Sequence, residues 1–351
     1  MSIIQVAEVA GVSKSTVSRV INQSPAVAPE ATKAVHEAMQ RLGYSPPLRR
    51  RGPKPMSRRG IRTGNIALLV MGLRPADLYR LPVFPSLLHG IERALAEQQM
   101  NLVLANFGKE AEVPAVLAGN QTDGVLLFGK WDDMPNAVRA RLKQLPLVWV
   151  MREHSDIEGD FDHVFYNNAA VGPIAARYLL SRGHKRLAYL SAVPKHTAFA
   201  QRQHDFTETI QQSGASVVSF VGDREIDPLH WSAPEYLALV DRLLEEREKP
   251  TGLFVATDAQ LPGFYHALLA RGLHPEQDVH LIGCDNEQQF LSQLSPAPAT
   301  IDINLELVGH RAVQQLLWRI RNPEEKNRIS LLVEPRLITP QDPKGAEPSL
   351  A

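Results

Sequence analysis

The sequence has a single cysteine, Cys284, in 351 residues. No internal disulfide can form, which suits a reducing cytoplasm. No apolar run approaches the roughly eighteen residues of a membrane span, so no membrane partner is expected. The first residues read as a capped amphipathic helix and not as a signal peptide. Catalytic signatures are missing as well. There is no Gly-x-Gly-x-x-Gly turn, no phosphate loop and no Gly-x-Ser-x-Gly elbow. No catalytic residue is therefore named, and neither cofactor nor enzyme activity is expected. The twelve histidines show no metal-ligand spacing; His196 and His204 lie eight apart with only Asp205 near them, so no metal site is expected. Nothing marks Cys284 as an activated nucleophile.

Net charge is also absent, because 38 basic residues match 38 acidic ones. The balance conceals an asymmetry. Residues 1–62 hold eleven Lys and Arg against Glu8, Glu30 and Glu37, a net of +8, so the rest of the chain carries −8. A basic head on an acidic body implies an anionic partner for the head alone.

The stretch Ile3 to Asn22 reads as two short helices around a tight turn. Ile3, Val6, Ala7 and Ala10 share one apolar face of the first. Ser2 is placed to cap it and Gly11 to stop it, because glycine takes the left-handed conformation of many helix ends. Ser13 can cap the second helix, and Val17, Val20 and Ile21 form its buried face. Its other face carries Lys14, Ser15, Ser18 and Arg19, short or cationic groups suited to phosphates and base edges. A helix–turn–helix lays such a second helix in the DNA major groove. A third helix is predicted from Pro29 to about Leu42, ended by Gly43 and burying Ala31, Ala34, Val35, Ala38, Met39 and Leu42.

This head resembles the N-terminus of the lactose-repressor/galactose-repressor (LacI/GalR) family of bacterial transcription regulators. Val6-Ala7, Ala10-Gly11-Val12-Ser13, Thr16-Val17-Ser18-Arg19-Val20, Asn22 and Leu42-Gly43-Tyr44 carry the resemblance. It departs at Gln5, where the family has Asp, and at Ala28, where a Ser cap is usual. The resemblance implies that Ser13, Lys14, Ser15, Thr16, Ser18, Arg19 and Asn22 face double-stranded DNA. It further implies a palindromic operator read by a homodimer and a nucleoid-associated, cytoplasmic repressor.

Residues 46–63 form a basic Pro/Arg-rich linker. Arg49, Arg50, Arg51, Lys54, Arg58, Arg59 and Arg62 place seven cations in fourteen residues. The family has a short hinge helix here, which Pro46, Pro47, Gly52, Pro53 and Pro55 oppose. Two readings stand side by side: an extended arm whose arginines enter a narrow A·T-rich minor groove, or a tether with general phosphate attraction. A shortened helix after Pro55 is a third. Arg49, Arg50, Arg51 and Lys54 are the candidate contacts.

From Gly64 strand-like runs alternate with amphipathic helices, beginning Ile66–Met71, Leu87–Glu97, Leu102–Ala105 and ending with a strand near Leu331–Ile338. Alternation of this kind predicts parallel α/β sheets, with ligand bound at the carboxyl ends of the strands. This region also resembles the family and the periplasmic sugar-binding proteins, through Thr63-Gly64-Asn65-Ile66, Asp123-Gly124-Val125, Gly183-His184-Lys185-Arg186 and Ile282-Gly283-Cys284-Asp285-Asn286 among other landmarks. The expected fold is therefore an all-α helix–turn–helix head on a body of two doubly wound α/β subdomains. The divisions are 1–45 for the head, 46–63 for the linker, 64–340 for the effector-binding and dimerising body, and 341–351 for a tail. From Thr339 onward the chain has three prolines and no leucine heptad, so a dimer is expected and not a tetramer.

The resemblance also implies effector contacts. Arg202 stands where the family grips effector oxygens, Asp285 where it holds sugar hydroxyls, and Trp231 where some members stack an aromatic on a sugar ring. Phe84 stands in a cleft-lining segment, and Asp258 follows the position of a usual Asn. That Asn is Thr257 here, and an expected Asp is Met151. Two polar contacts are thus expected to be absent, and a small-molecule effector related to a sugar is expected to bind in an unusual way. Whether it relieves repression or acts as a corepressor is open from sequence.

Overall fold

The computed structural model describes residues 2–21, 27–44, 60–73, 78, 81–107, 113–129, 135–151, 161–194, 196–224 and 234–340. The chain divides into two compact units, Met1–Met56 and Ser57–Ala351.

In the first unit, α1 (Ile3–Ala10) opens with a capping box. The Ser2 hydroxyl accepts from the Gln5 backbone N–H, and the Gln5 side chain accepts from the Ser2 backbone at 2.9 Å. Gly11 ends α1 with φ of 65°. Ser13 Oγ accepts from Thr16 N at 3.2 Å and so caps α2 (Lys14–Ile21). In α3 (Pro29–Leu42) Ala28 offers no side-chain cap, and Gly43 closes the helix at φ of 57°. Val6, Ala7, Val17, Val20, Val35 and Ala38 make one small core. Three helices this short are marginal alone and hold through that shared apolar contact.

The second unit has two subdomains. The first is a six-stranded parallel sheet in the order β11-β5-β4-β3-β1-β2. Its strands are β1 (Asn65–Met71), β2 (Asn101–Phe107), β3 (Gly124–Phe128), β4 (Leu147–Val150), β5 (Asp162–Tyr166) and β11 (Ser330–Val333). Helices α4 (Phe84–Glu97), α5 (Ala115–Ala118), α6 (Asn136–Leu142) and α12 (Leu305–Arg321) accompany it. β1, β3 and β4 read as near-continuous apolar runs because both faces of the sheet are covered. α4 and α12 approach backbone to backbone: a Cβ on Gly90 would stand 2.0 Å from the Glu306 carbonyl oxygen. Only glycine admits that approach.

The second subdomain is a four-stranded parallel sheet in the order β7-β6-β8-β9. Its strands are β6 (Arg186–Ser191), β7 (Ser216–Val221), β8 (Gly252–Val255) and β9 (His280–Ile282). Its helices are α7 (Val171–Ser181), α8 (Thr197–Gln212), α9 (Pro234–Leu244), α10 (Leu261–Ala270) and α11 (Gln288–Leu291). A separate antiparallel pair joins β10 (Thr300–Asp302) to β12 (Arg336–Ile338). The single strand expected near Leu331–Ile338 is therefore two strands in different sheets. Pro335 separates them, since a residue without an N–H cannot continue a ladder. The chain passes between the subdomains at β5–α7, β10–α12 and β11–β12. Among the described residues no helix is long and apolar enough to cross a membrane.

The chain enters the body under one carboxylate. Asp123, 4% exposed, accepts from the backbone N–H groups of Arg62, Thr63 and Gly64 at 2.7 to 3.0 Å. Asp123→Ala would leave these donors without their acceptor. It is expected to cost about 2 kcal/mol, read as a lower urea midpoint with unchanged slope.

Candidate functional site

In the head, Ser13, Lys14, Ser15 and Arg19 are exposed, and Thr16 and Ser18 are half-buried. The Ser13 hydroxyl shares hydrogen bonds with those of Ser15 at 2.8 Å and Thr16 at 2.9 Å. Val17 and Val20, on the opposite face, are buried. The amphipathic split leaves Lys14, Ser15 and Arg19 on one outward surface. Asn22, Arg49, Arg50, Arg51 and Lys54 lie outside the described residues, as does Trp231.

In the body, Arg202, Asp285 and Asp258 gather beyond the carboxyl ends of β8 and β9. α8 delivers Arg202, which is 2% exposed. Its Nε donates to Asn168 Oδ1 at 2.9 Å and its Nη1 to the Ala256 carbonyl at 2.6 Å. Nη2 donates to the Tyr166 hydroxyl at 3.1 Å and to Asp285 Oδ1 at 3.0 Å. Four of its five N–H donors are thus engaged. Burial alone would lower its pKa, but Asp285, with Cys284 and Tyr166, holds it well above the ordinary value. Tyr166 and Asn168 come from the end of β5 and the turn after it, so one guanidinium ties that crossover to the strand ends of the second sheet.

Asp285 has a positive φ of 107°, which turns its carboxylate back toward Arg202. Its second oxygen accepts from the Thr257 hydroxyl at 2.5 Å. Thr257, which stands where the family has Asn, thus spends its hydroxyl on Asp285 within the protein. Residue type alone cannot show a hydroxyl directed at a carboxylate distant in the chain.

Asp258 is fully buried. Its carboxylate takes the Thr300 hydroxyl at 2.8 and 2.9 Å and the Glu287 backbone N–H at 3.0 Å. Burial, then the charge of Asp285, raises its pKa well above the carboxylate range. A Cβ on Gly283 would fall 2.0 Å from its Oδ1. Asp258 thus braces the ends of β9 and β10 against each other. Phe84 is buried at the start of α4, edge-on to Phe128 with ring centroids 5.9 Å apart. Cys284 is buried, and burial pushes its thiol well above the usual range, away from reactivity.

One residue had no motif to announce it. Glu287 is 4% exposed and sits two residues beyond Asp285. Burial, then the charge of Asp285, pushes its carboxyl up to about 8. Only burial in the folded chain marks it, so no sequence signal was available.

Elsewhere in the body, a hollow lined by Tyr189, Ser191, His196, Phe199 and Gln203 holds roughly 40 Å³, far below an ordinary ligand pocket. His204, Asp205 and Glu208 gather on α8 with ligand atoms within 4.8 Å, but on the surface, where such acidic groups are common.

Known proteins share both the head and the body. The family profile of bacterial regulatory proteins, lacI family, matches residues 2–47, and that of the periplasmic binding protein-like domain matches residues 176–341. The transcriptional repressor PurR of Klebsiella pneumoniae is 29% identical over 342 residues, covering 95% of this chain and 94% of that protein. The ribose operon repressor of Escherichia coli is 28% identical and covers 93% and 95%. Among solved structures, the complex of the transcriptional regulator CelR with cellobiose has a TM-score of 0.61 at 25% identity, over 97% of this chain and 98% of that one. The lac repressor dimer bound to operator and the anti-inducer ONPF shares the fold, with a TM-score of 0.64 at 21% identity over 97% and 98%. Head and body thus agree: the chain joins a DNA-binding head of the lacI family of bacterial regulatory proteins to a periplasmic binding protein-like body, the architecture of a DNA-binding transcription regulator.

Proposed function

We propose a homodimeric repressor whose heads, about residues 1–45, read a palindromic operator, and whose body, about residues 64–340, takes a carbohydrate-related effector between its subdomains. The linker, about residues 46–63, adds phosphate or minor-groove contacts, and the tail of 341–351 takes no part in assembly. The effector relieves repression. The observation that carries this reading is the Arg202–Asp285–Thr257 constellation, assembled where the β5 crossover meets the second sheet's strand ends. Guanidinium and carboxylate together suit vicinal hydroxyls. Cellobiose in the CelR complex and the name of the ribose operon repressor support a sugar-like ligand. Phe84, Asp258 and Trp231 complete the proposed set, Phe84 and Asp258 acting through the walls they brace.

A ligand shifts the regulator only by binding one arrangement of the subdomains better than the other. The test is a gel-shift titration with operator DNA and candidate sugars. An inducer raises the operator Kd, and a corepressor lowers it. No change at saturating ligand would sink small-molecule gating and favour control by a partner protein. Light scattering that gave a tetramer would remove the dimer.

Lys14 and Ser15 open α2 and are exposed, as base-reading positions must be. A lysine donating to guanine O6 and N7 is worth about 1–3 kcal/mol of discrimination. Lys14→Ala is expected to relax the preference at one base of each half-site, in a binding-selection experiment on randomised operators. A uniform loss of affinity with preference intact would show that α2 is not the reading helix.

A further inference from the structure

The body holds a buried acceptor that nothing above has used. Glu287 precedes α11 and projects from the second subdomain, while the Ser86 hydroxyl of α4, in the first subdomain, lies against its carboxylate. The residue is 4% exposed. Its Oε2 is reached by the Gln289 amide at 3.4 Å, a long hydrogen bond. Its Oε1 is buried and has no hydrogen-bond partner among the described residues. A buried polar atom left without a partner costs free energy, so it marks either a defect or a place where something binds.

The charges around it choose between ligands. Asp285 and Asp302 face Glu287, and Asp258 takes its backbone N–H. Two cations stand near these acids. Arg202 is committed to Asp285 at 3.0 Å, and Arg336 to Asp302 at 3.0 Å. Among the described residues no uncommitted cation remains there to receive an anion. Burial first and the charge of Asp285 second raise the Glu287 carboxyl to about 8, while the Gln289 and Ser86 side chains pull it down. An incoming hydroxyl or ammonium would satisfy Oε1, whereas a carboxylate or phosphate would find no free cation among the described residues to offset its lost hydration, since Arg202 and Arg336 are already paired.

We propose that Glu287 is an effector-contacting residue that accepts a hydrogen bond from the ligand, and that the effector is an uncharged or cationic molecule presenting a hydroxyl or ammonium donor and carrying no carboxylate or phosphate. The inference rests on the effector reading above. It adds to that reading a specific contact and a limit on ligand charge. Because Ser86 belongs to the other subdomain, the ligand donor would sit where the two subdomains meet.

The test is a thermal-shift and calorimetric panel on the full chain. The neutral and amine arms are D-glucose, D-ribose, cellobiose, adenosine and D-glucosamine. The anionic arm is gluconate, glucose 6-phosphate and ribose 5-phosphate. We expect binders only in the first set, and at least a tenfold weaker Kd for the best of them with Glu287→Leu, which removes the acceptor. Glu287→Gln separates the two donor types: its amide oxygen still accepts from a hydroxyl, so a sugar loses about threefold or less, whereas an ammonium ligand loses tenfold or more. An anion that binds as tightly as its neutral parent overturns the proposal. So does a binder whose Kd moves less than twofold with Glu287→Leu, and so does a panel in which no neutral or amine member binds. Should Glu287→Leu fail to fold, the charge comparison on the unaltered chain and the Glu287→Gln ratio decide by the same criteria. Asp285→Asn distinguishes failure of this contact from failure of the whole site. A ligand sensitive to Asp285→Asn and indifferent to Glu287 keeps the effector site and removes this contact; one indifferent to both removes the site.

Discussion

Arg202→Met is expected to destabilise the body by about 3–5 kcal/mol, because it strands a buried carboxylate. Asp285 is 6% exposed, and its remaining described side-chain partner is the Thr257 hydroxyl. Asn168, Tyr166 and the Ala256 carbonyl would lose their shared donor at the same time. The check is urea unfolding of the single variants Arg202→Met and Asp285→Leu and of the double variant. If the ion pair is responsible, the double variant is far less unstable than the sum of the two singles, since no charge is left buried without its partner. Additive losses would mean that the cost lies in packing around each side chain. The same variants should lose any effector-induced change in operator affinity. A stable Arg202→Met protein with an undiminished effector response would remove Arg202 from the proposed site.

The largest effect on DNA binding is expected from replacing Arg49, Arg50 and Arg51 together by alanine. These residues lie outside the described residues, and the expectation rests on their charge. Each arginine withdrawn from a phosphate should flatten the slope of log K against log salt by about 0.9, so all three together change it by about 2.7. At 0.1 M salt that corresponds to an affinity loss of about two to three orders of magnitude for all sequences. The two readings of the linker part at the operator centre. A minor-groove arm would also lose any preference for A·T pairs there, because arginine reads the narrow groove's potential. A tether would lose affinity and keep that preference. An unchanged salt slope would show that these arginines do not touch phosphate in the complex.

The head was legible in the sequence almost to the residue. Its information is local: Ser2, Gly11, Ser13 and Gly43 act on the turn they occupy, and Val6, Val17, Val20 and Val35 recur at helical spacing. Ala28 was legible as a missing cap for the same reason. The alternation of strands and helices in the body was likewise readable, because strands covered on both faces must be apolar throughout.

The tertiary structure decided what depends on distant partners. It split the last predicted strand at Pro335 and sent β11 and β12 to different sheets, an outcome set by pairing with β5 and β10 and not by either segment's composition. It aimed the Thr257 hydroxyl at Asp285 across 28 positions of sequence. It enclosed Glu287 and left one of its oxygens without a partner among the described residues. The sequence by itself determined the caps, the buried faces, the basic head and the family, since these depend on residue type and short spacing. Which side chains meet at the ends of β8 and β9, and which acid there is left wanting a donor, was decided only when the crossovers brought Tyr166, Arg202, Asp258 and Asp285 together. Hydrogen bonds and burial act over a few ångströms, and sequence separation carries no measure of that distance.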